Sequence, residues 1–131
     1  MIFDHVGIFV HDLQSGVAKL GAQHKIISKS SEIIDPVIDV KICFVTDDCG
    51  LKYELVAPLS EKSPVSGSLL QRKNILNHLG YKVKKFDNKI TQLRTAGCIP
   101  IIPPTPAVAF GGRRVIFLLS PLNYIFELIE D

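Results

Sequence analysis

Four residues stand out for what they could do together. His5 is followed after 49 residues by Glu54, and His78 is followed after the same 49 by Glu127. Imidazole nitrogen and carboxylate oxygen form a mixed donor set for a divalent cation, and the absence of a thiolate argues against a closed structural zinc site. Four such ligands leave two positions open on an octahedral ion. Lewis-acid chemistry beside a carbonyl is the use such a site has, with a neighbouring carboxylate taking or returning a proton. Glu54 and Glu127 are therefore candidates both as ligands and as catalytic proton carriers.

The elements that must position these residues repeat as well. "DHVGIFV" (4–10) and "NHLGYKV" (77–83) share His, Gly and the final Val in register at an offset of 73 residues. With no gap, the same offset matches Phe44 with Phe117, Leu20 with Leu93, Leu55 with Leu128, Val17 with Ile90 and Lys41 with Arg114. Two copies of one unit are expected. In the first, a strand-like opening leads to a helix carrying Leu13, Val17 and Leu20, with Asp12 near its start. Strands follow near 25–31, 37–46 and 51–57, with Pro36 and "DDCG" (47–50) as turns. In the second, a helix carrying Phe86, Ile90 and Leu93 ends at Gly97, and strands follow near 98–102, 113–119 and 124–130. Ser63 and Pro64 predict a short linker helix. The divisions are 1–58 for the first βαβββ module, 59–75 for the linker and 76–131 for the second, within one domain.

Alternation along a strand sends neighbouring side chains to opposite faces. Val6, Ile8 and Val10 then pack under the helix while His5, Gly7 and Phe9 face away. Tyr53 and Leu55 flank Glu54 in the same sense, as Phe126 and Leu128 flank Glu127. All four candidate ligands thus fall on sheet faces opposite their helices.

Bulk properties narrow the function. The chain has 131 residues, 47% of them hydrophobic and 21% charged, with a formal charge of +2. That balance does not describe a nucleic-acid or membrane surface. No run approaches the roughly 20 apolar residues of a membrane span. Cys43, Cys49 and Cys98 lack CxxC spacing, so reduced thiols in a cytoplasmic protein are expected, and the N-terminus carries no basic leader.

"DHVGIFVHDL", "YELVAPLSEKSPVSGSLLQRKNILNHLGYKV" and "RRVIFLLSPLNYIFELIE" together resemble the vicinal oxygen chelate superfamily, which includes glyoxalase I, methylmalonyl-CoA epimerase, extradiol dioxygenases and bleomycin-resistance proteins. The resemblance implies an α+β fold of two tandem βαβββ modules forming an open, curved mixed β-barrel with helices outside, often as a homodimer. By position, His5, Glu54, His78 and Glu127 match the superfamily's metal ligands. The metal could be nickel, cobalt, manganese, zinc or magnesium. The linker Pro58–Pro64 is most similar to that of methylmalonyl-CoA epimerases, although those commonly carry His-His where Asn77-His78 stands. Some of them have Gln where Glu54 stands, and a glutamate there is more like bacterial glyoxalase I. The resemblance implies an isomerase or lyase that removes a proton beside a carbonyl in an acyl thioester or a glutathione adduct. A non-catalytic small-molecule binder and a ring-cleaving dioxygenase are the alternatives.

Further residues could contact a substrate. "AFGGRRV" (109–115) sets two glycines before two arginines, and an arginine binds carboxylate or phosphate through two parallel hydrogen bonds. Arg113 shares parity with Glu127, whereas Arg114 falls on the helix side. Lys82, on the parity of His78, and Phe9, on that of His5, are the other candidates. His11 and His24 have no histidine at the matching position and are expected at the surface. Asp47-Asp48 read as turn residues, and the second half of "IPIIPPTPAVAF" (99–110) reads as a mobile loop.

Overall fold

A computed structural model describes all 131 residues. The chain divides into two compact units: His5–Asn77, and His78–Asp131 together with Met1–Asp4. Strand β1 (Ile2–Phe9) therefore begins in one unit and ends in the other.

In the first unit β1 leads into α1 (Leu13–Gln23). Then come β2 (Ile26–Lys29), β3 (Ile33–Asp35), β4 (Val40–Asp47), β5 (Lys52–Pro58) and α2 (Pro64–Gln71). The strand order is β2-β4-β5-β1, with β3 alongside β4. Asp12 caps α1 by accepting the backbone N–H of Ser15 at 2.9 Å, which satisfies one of the amides that a helix start leaves open. The apolar face of α1, Leu13, Val17 and Leu20, packs on Val6, Ile8, Val10, Tyr53 and Leu55. That packing holds the first and last strands under one helix. Ser63 caps α2 through Val65 N–H and Pro64 opens it, as expected for a residue that lacks the amide hydrogen.

The second unit repeats the plan. Strand β6 (Leu76–Val83) leads into α3 (Phe86–Thr95), followed by β7 (Ile99–Pro100), β8 (Thr105–Pro106), β9 (Arg114–Leu119) and β10 (Ile125–Glu130). The order is β6-β10-β9-β7, with β8 alongside β9. Phe86, Ile90 and Leu93 of α3 pack on Val83, Ile116, Leu118, Phe126 and Leu128. Burying a side chain as fully as Leu118 or Leu128, both 0% exposed, stabilises the fold by about 1.5–3 kcal/mol. In both units the opening strand pairs parallel with the last strand, and the last pairs antiparallel with the strand before it. The chain is thus α+β with one module used twice.

Three details differ from the sequence reading. The strand expected over 37–46 starts only at Val40, because Asp35 turns the chain: its carboxylate accepts the N–H groups of Val37 and Ile38 at 3.1 and 3.2 Å. Asp39 completes the turn at φ 65°, a left-handed conformation that Asp tolerates better than most residues. The segment read as a mobile loop is instead tied to β9, with Thr105 opposite Val115 and Pro106 opposite Arg114. Proline can occupy such an edge because the amide it lacks would face away from the sheet. The strand expected over 98–102 is reduced to Ile99–Pro100.

Candidate metal centre

Strand pairing brings each histidine to its glutamate. In the first unit, Glu54 on β5 lies between Gly7 of β1 and Phe44 of β4. His5, two residues before Gly7, points to the same face, and its Nε2 stands 3.5 Å from Glu54 Oε2. In the second unit, Glu127 on β10 lies between Gly80 of β6 and Phe117 of β9. His78 Nε2 stands 3.2 Å from Glu127 Oε2. The same atoms meet in both modules, and all four residues are buried, at 4% exposure or less.

Such burial is costly without compensation. A carboxylate taken out of water loses several kcal/mol of hydration and needs a positive partner. A protonated imidazole or a bound cation would meet that need. The thiols do not compete as ligands: Cys43 and Cys98 pack in the helix-side apolar clusters, and Cys49 is exposed in a turn. Nitrogen and carboxylate oxygen remain, which is a donor set that fits a divalent ion of the manganese-to-zinc series or magnesium.

Each imidazole also meets an aromatic ring. Phe44 stands edge-on to His5, with centroids 6.0 Å apart and planes at 73°, and Phe117 stands edge-on to His78 at 5.0 Å and 83°. Phe44 and Phe117 matched at the 73-residue offset, yet that match alone assigned them no role. Lys52 adds a cation over the Phe44 ring, 5.3 Å from its centroid.

Arg113 precedes β9, with its side chain 53% exposed and Nη1 3.7 Å from Asp131 Oδ1. Gly111 and Gly112 before it take φ of 65° and 85°, so glycine serves the turn itself. Arg114 lies on the helix side, as parity predicts. It grips Glu130 with two bonds of 2.8 and 2.9 Å and Asp87 with two of 3.0 and 3.2 Å, and it covers the Phe86 ring. The paired carboxylates keep its guanidinium charged far beyond the ordinary range, and Arg114 in turn holds the Glu130 carboxyl below its usual value. Lys82 Nζ stands 3.6 Å from Asp4 Oδ1. Phe9 is half-buried at the end of β1, with its N–H on the carbonyl of Ile75.

Asp47, expected in the turn, is the last residue of β4, and its carboxylate caps the turn that follows. It accepts Cys49 and Leu51 N–H at 2.9 and 3.0 Å and the Tyr53 hydroxyl at 3.1 Å. Burial works to raise its pKa, but these hydrogen bonds outweigh burial and leave the carboxyl below its ordinary value. Burial, together with the bond to Asp47, pushes the Tyr53 phenol up. His24 closes α1, half-exposed beside Asp47 and Tyr53, and His11 is exposed.

A model of the glyoxalase/bleomycin resistance protein/dioxygenase superfamily matches residues 4–117. The chain belongs to this superfamily. An ethylmalonyl-CoA/methylmalonyl-CoA epimerase of Cereibacter sphaeroides is 30% identical over 134 aligned positions, covering 97% of this chain and 93% of that protein. The crystal structure of a hypothetical protein of Bacillus halodurans superposes with a TM-score of 0.84 at 27% identity, covering 98% of this chain and 93% of that one. That of a methylmalonyl-CoA epimerase from Mycobacterium tuberculosis gives 0.80 at 23% identity, covering 98% and 86%. The superfamily fold thus extends over essentially the whole chain. No helix is long and apolar enough to cross a membrane.

Proposed function

We propose that the two His–Glu pairs act together as one four-ligand site for a divalent cation, and that the protein is an epimerase acting on a 2-substituted malonyl-type acyl-CoA. The observation that carries this reading is the buried His–Glu pair, built twice with the same atoms facing and the same strand register. Similarity to an ethylmalonyl-CoA/methylmalonyl-CoA epimerase over nearly the full length of both chains supports the substrate class.

When bound, a divalent ion would supply Lewis-acid polarisation of the thioester carbonyl. The chain's own groups do the rest. Inverting a carbon centre requires a proton to leave from one side and return on the other. A module used twice supplies a carboxylate for each task. Glu127 or Glu54 takes the proton from the carbon next to the carbonyl, and the other returns one to the opposite face. Arg113, with its exposed guanidinium, suits a phosphate of the coenzyme, and we assign Lys82 and Phe9 as further substrate contacts. A homodimer and a cytoplasmic location belong to the same proposal and are checked by sedimentation velocity and by cell fractionation.

The test is proton exchange in deuterated water. Racemic methylmalonyl-CoA and ethylmalonyl-CoA should take up deuterium at C2 with the metal-loaded protein, far above the spontaneous rate. Glu127→Gln should remove that excess. Exchange only into the hemithioacetal of methylglyoxal and glutathione would assign a glyoxalase-type lyase instead. No exchange and no metal binding would leave a binding protein.

A further inference from the structure

We infer that Phe44 and Phe117 are positioning residues, each fixing the ring of the histidine in its own module so that the imidazole nitrogen faces the carboxylate. The cross-strand register brings this about. Phe44 is directly opposite Glu54 on β4, and Phe117 is directly opposite Glu127 on β9. Residues directly opposite on antiparallel strands share a face, so each phenylalanine projects on the same side as the glutamate. Its ring then meets the histidine ring edge-on, at 73° in one module and 83° in the other.

A histidine ring turns about its side-chain bonds unless its neighbours block it. An aromatic ring packed at a steep angle against the imidazole resists that rotation. The trio His–Phe–Glu therefore repeats as a unit, with spacings of 39 and 10 residues in each half. The match of Phe44 with Phe117 is the only aromatic identity at the repeat offset besides the chemistry-bearing pairs.

The two trios differ in tightness. The second has rings 5.0 Å apart and an imidazole-to-carboxylate distance of 3.2 Å, against 6.0 and 3.5 Å in the first. The first carries Lys52 over its phenylalanine, where the second has Ile125 at the matching position. Loss of Phe117 should consequently loosen its histidine more than loss of Phe44.

The metal part of the test rests on the four-ligand reading, so the experiment has one arm that does not. In metal-free protein, carbon-13 relaxation of the imidazole C–H groups reports ring motion directly. Wild type should show rigid rings at both histidines. Phe117→Leu should lower the order parameter of His78 and leave His5 unchanged, Phe44→Leu should do the reverse to a smaller extent, and Phe117→Tyr should restore wild-type behaviour. In the second arm, cobalt is titrated and its visible spectrum followed. Phe117→Leu should weaken binding by roughly 10-fold or more, the usual scale for a residue that orients a metal ligand, and Phe117→Tyr should not. Rigid histidine rings in both leucine variants would overturn the inference, as would equal loosening by leucine and tyrosine. If wild type binds no cobalt, the four-ligand reading fails, while the relaxation arm still decides the role of the phenylalanines.

Discussion

Two glycines in the same helix should respond in opposite ways to alanine. Gly16 and Gly21 both lie within α1, and helix propensity alone assigns each Gly→Ala change a gain of up to about 1 kcal/mol. The packing separates them. A methyl group at Gly16 would meet Val10 Cγ1 at 2.9 Å, Cβ at 3.1 Å and Cγ2 at 3.2 Å. Rotating Val10 cannot clear all three atoms, because Cβ does not move with χ1 and a β-branched side chain has few alternative rotamers. Either α1 or the chain at Val10, just past β1, must shift, and overpacking of this kind costs about 1–3 kcal/mol. Set against the propensity gain, Gly16→Ala should be destabilising by up to about 2 kcal/mol. At Gly21 the nearest atom is Ile26 Cγ1 at 3.8 Å, an ordinary contact, so the gain survives. Urea unfolding decides the matter: at a slope near 2 kcal/mol/M the two midpoints should differ by roughly 0.5–1.5 M, with wild type between them. If Gly16→Ala is as stable as Gly21→Ala with an unchanged slope, the close approach of α1 to Val10 does not constrain the fold.

Other perturbations follow from the same geometry. Leu128→Ala empties a fully buried position under α3 and should cost about 2–5 kcal/mol in urea unfolding. Asp47→Asn should lower the thermal midpoint, because it weakens three hydrogen bonds that close the β4–β5 turn. Asp47 and Glu130 both sit below their ordinary values in the folded state. Their contribution is complete above the unfolded carboxylate pKa of about 4 and fades as pH falls through the folded values. Thermal midpoints taken downward from pH 6 should therefore drop below about pH 4, and less so in Asp47→Asn. Dialysis against a chelator should abolish deuterium exchange into the acyl thioester, and returning one divalent metal should restore it. Activity that survives chelation would count against the proposed centre.

Much of this was legible from residue order because the period of a strand is short and rigid. An offset of 73 residues with no gap paired His5 with His78 and Glu54 with Glu127, and alternation alone put Val6, Ile8 and Val10 on the helix side, where they pack. Asp12 and Ser63 marked helix starts because capping is local. Less legible was anything set by a partner distant in the chain. The strand start at Val40 depends on how the Asp35 carboxylate spends its oxygen, and the fate of the proline-rich segment depends on β9 lying beside it.

The sequence by itself determined the repeat, the face on which each candidate ligand lies and the type of donor it offers, since these follow from spacing and side-chain chemistry. Only the tertiary structure decided which residue stands opposite which. Register is fixed when whole hydrophobic faces lock under α1 and α3, and a slip of one residue would turn every side chain over. That locking sets Glu54 between Gly7 and Phe44, and Glu127 between Gly80 and Phe117. Two histidines and two glutamates scattered along the chain thereby become two buried pairs, each with a phenylalanine ring packed at a steep angle to its imidazole.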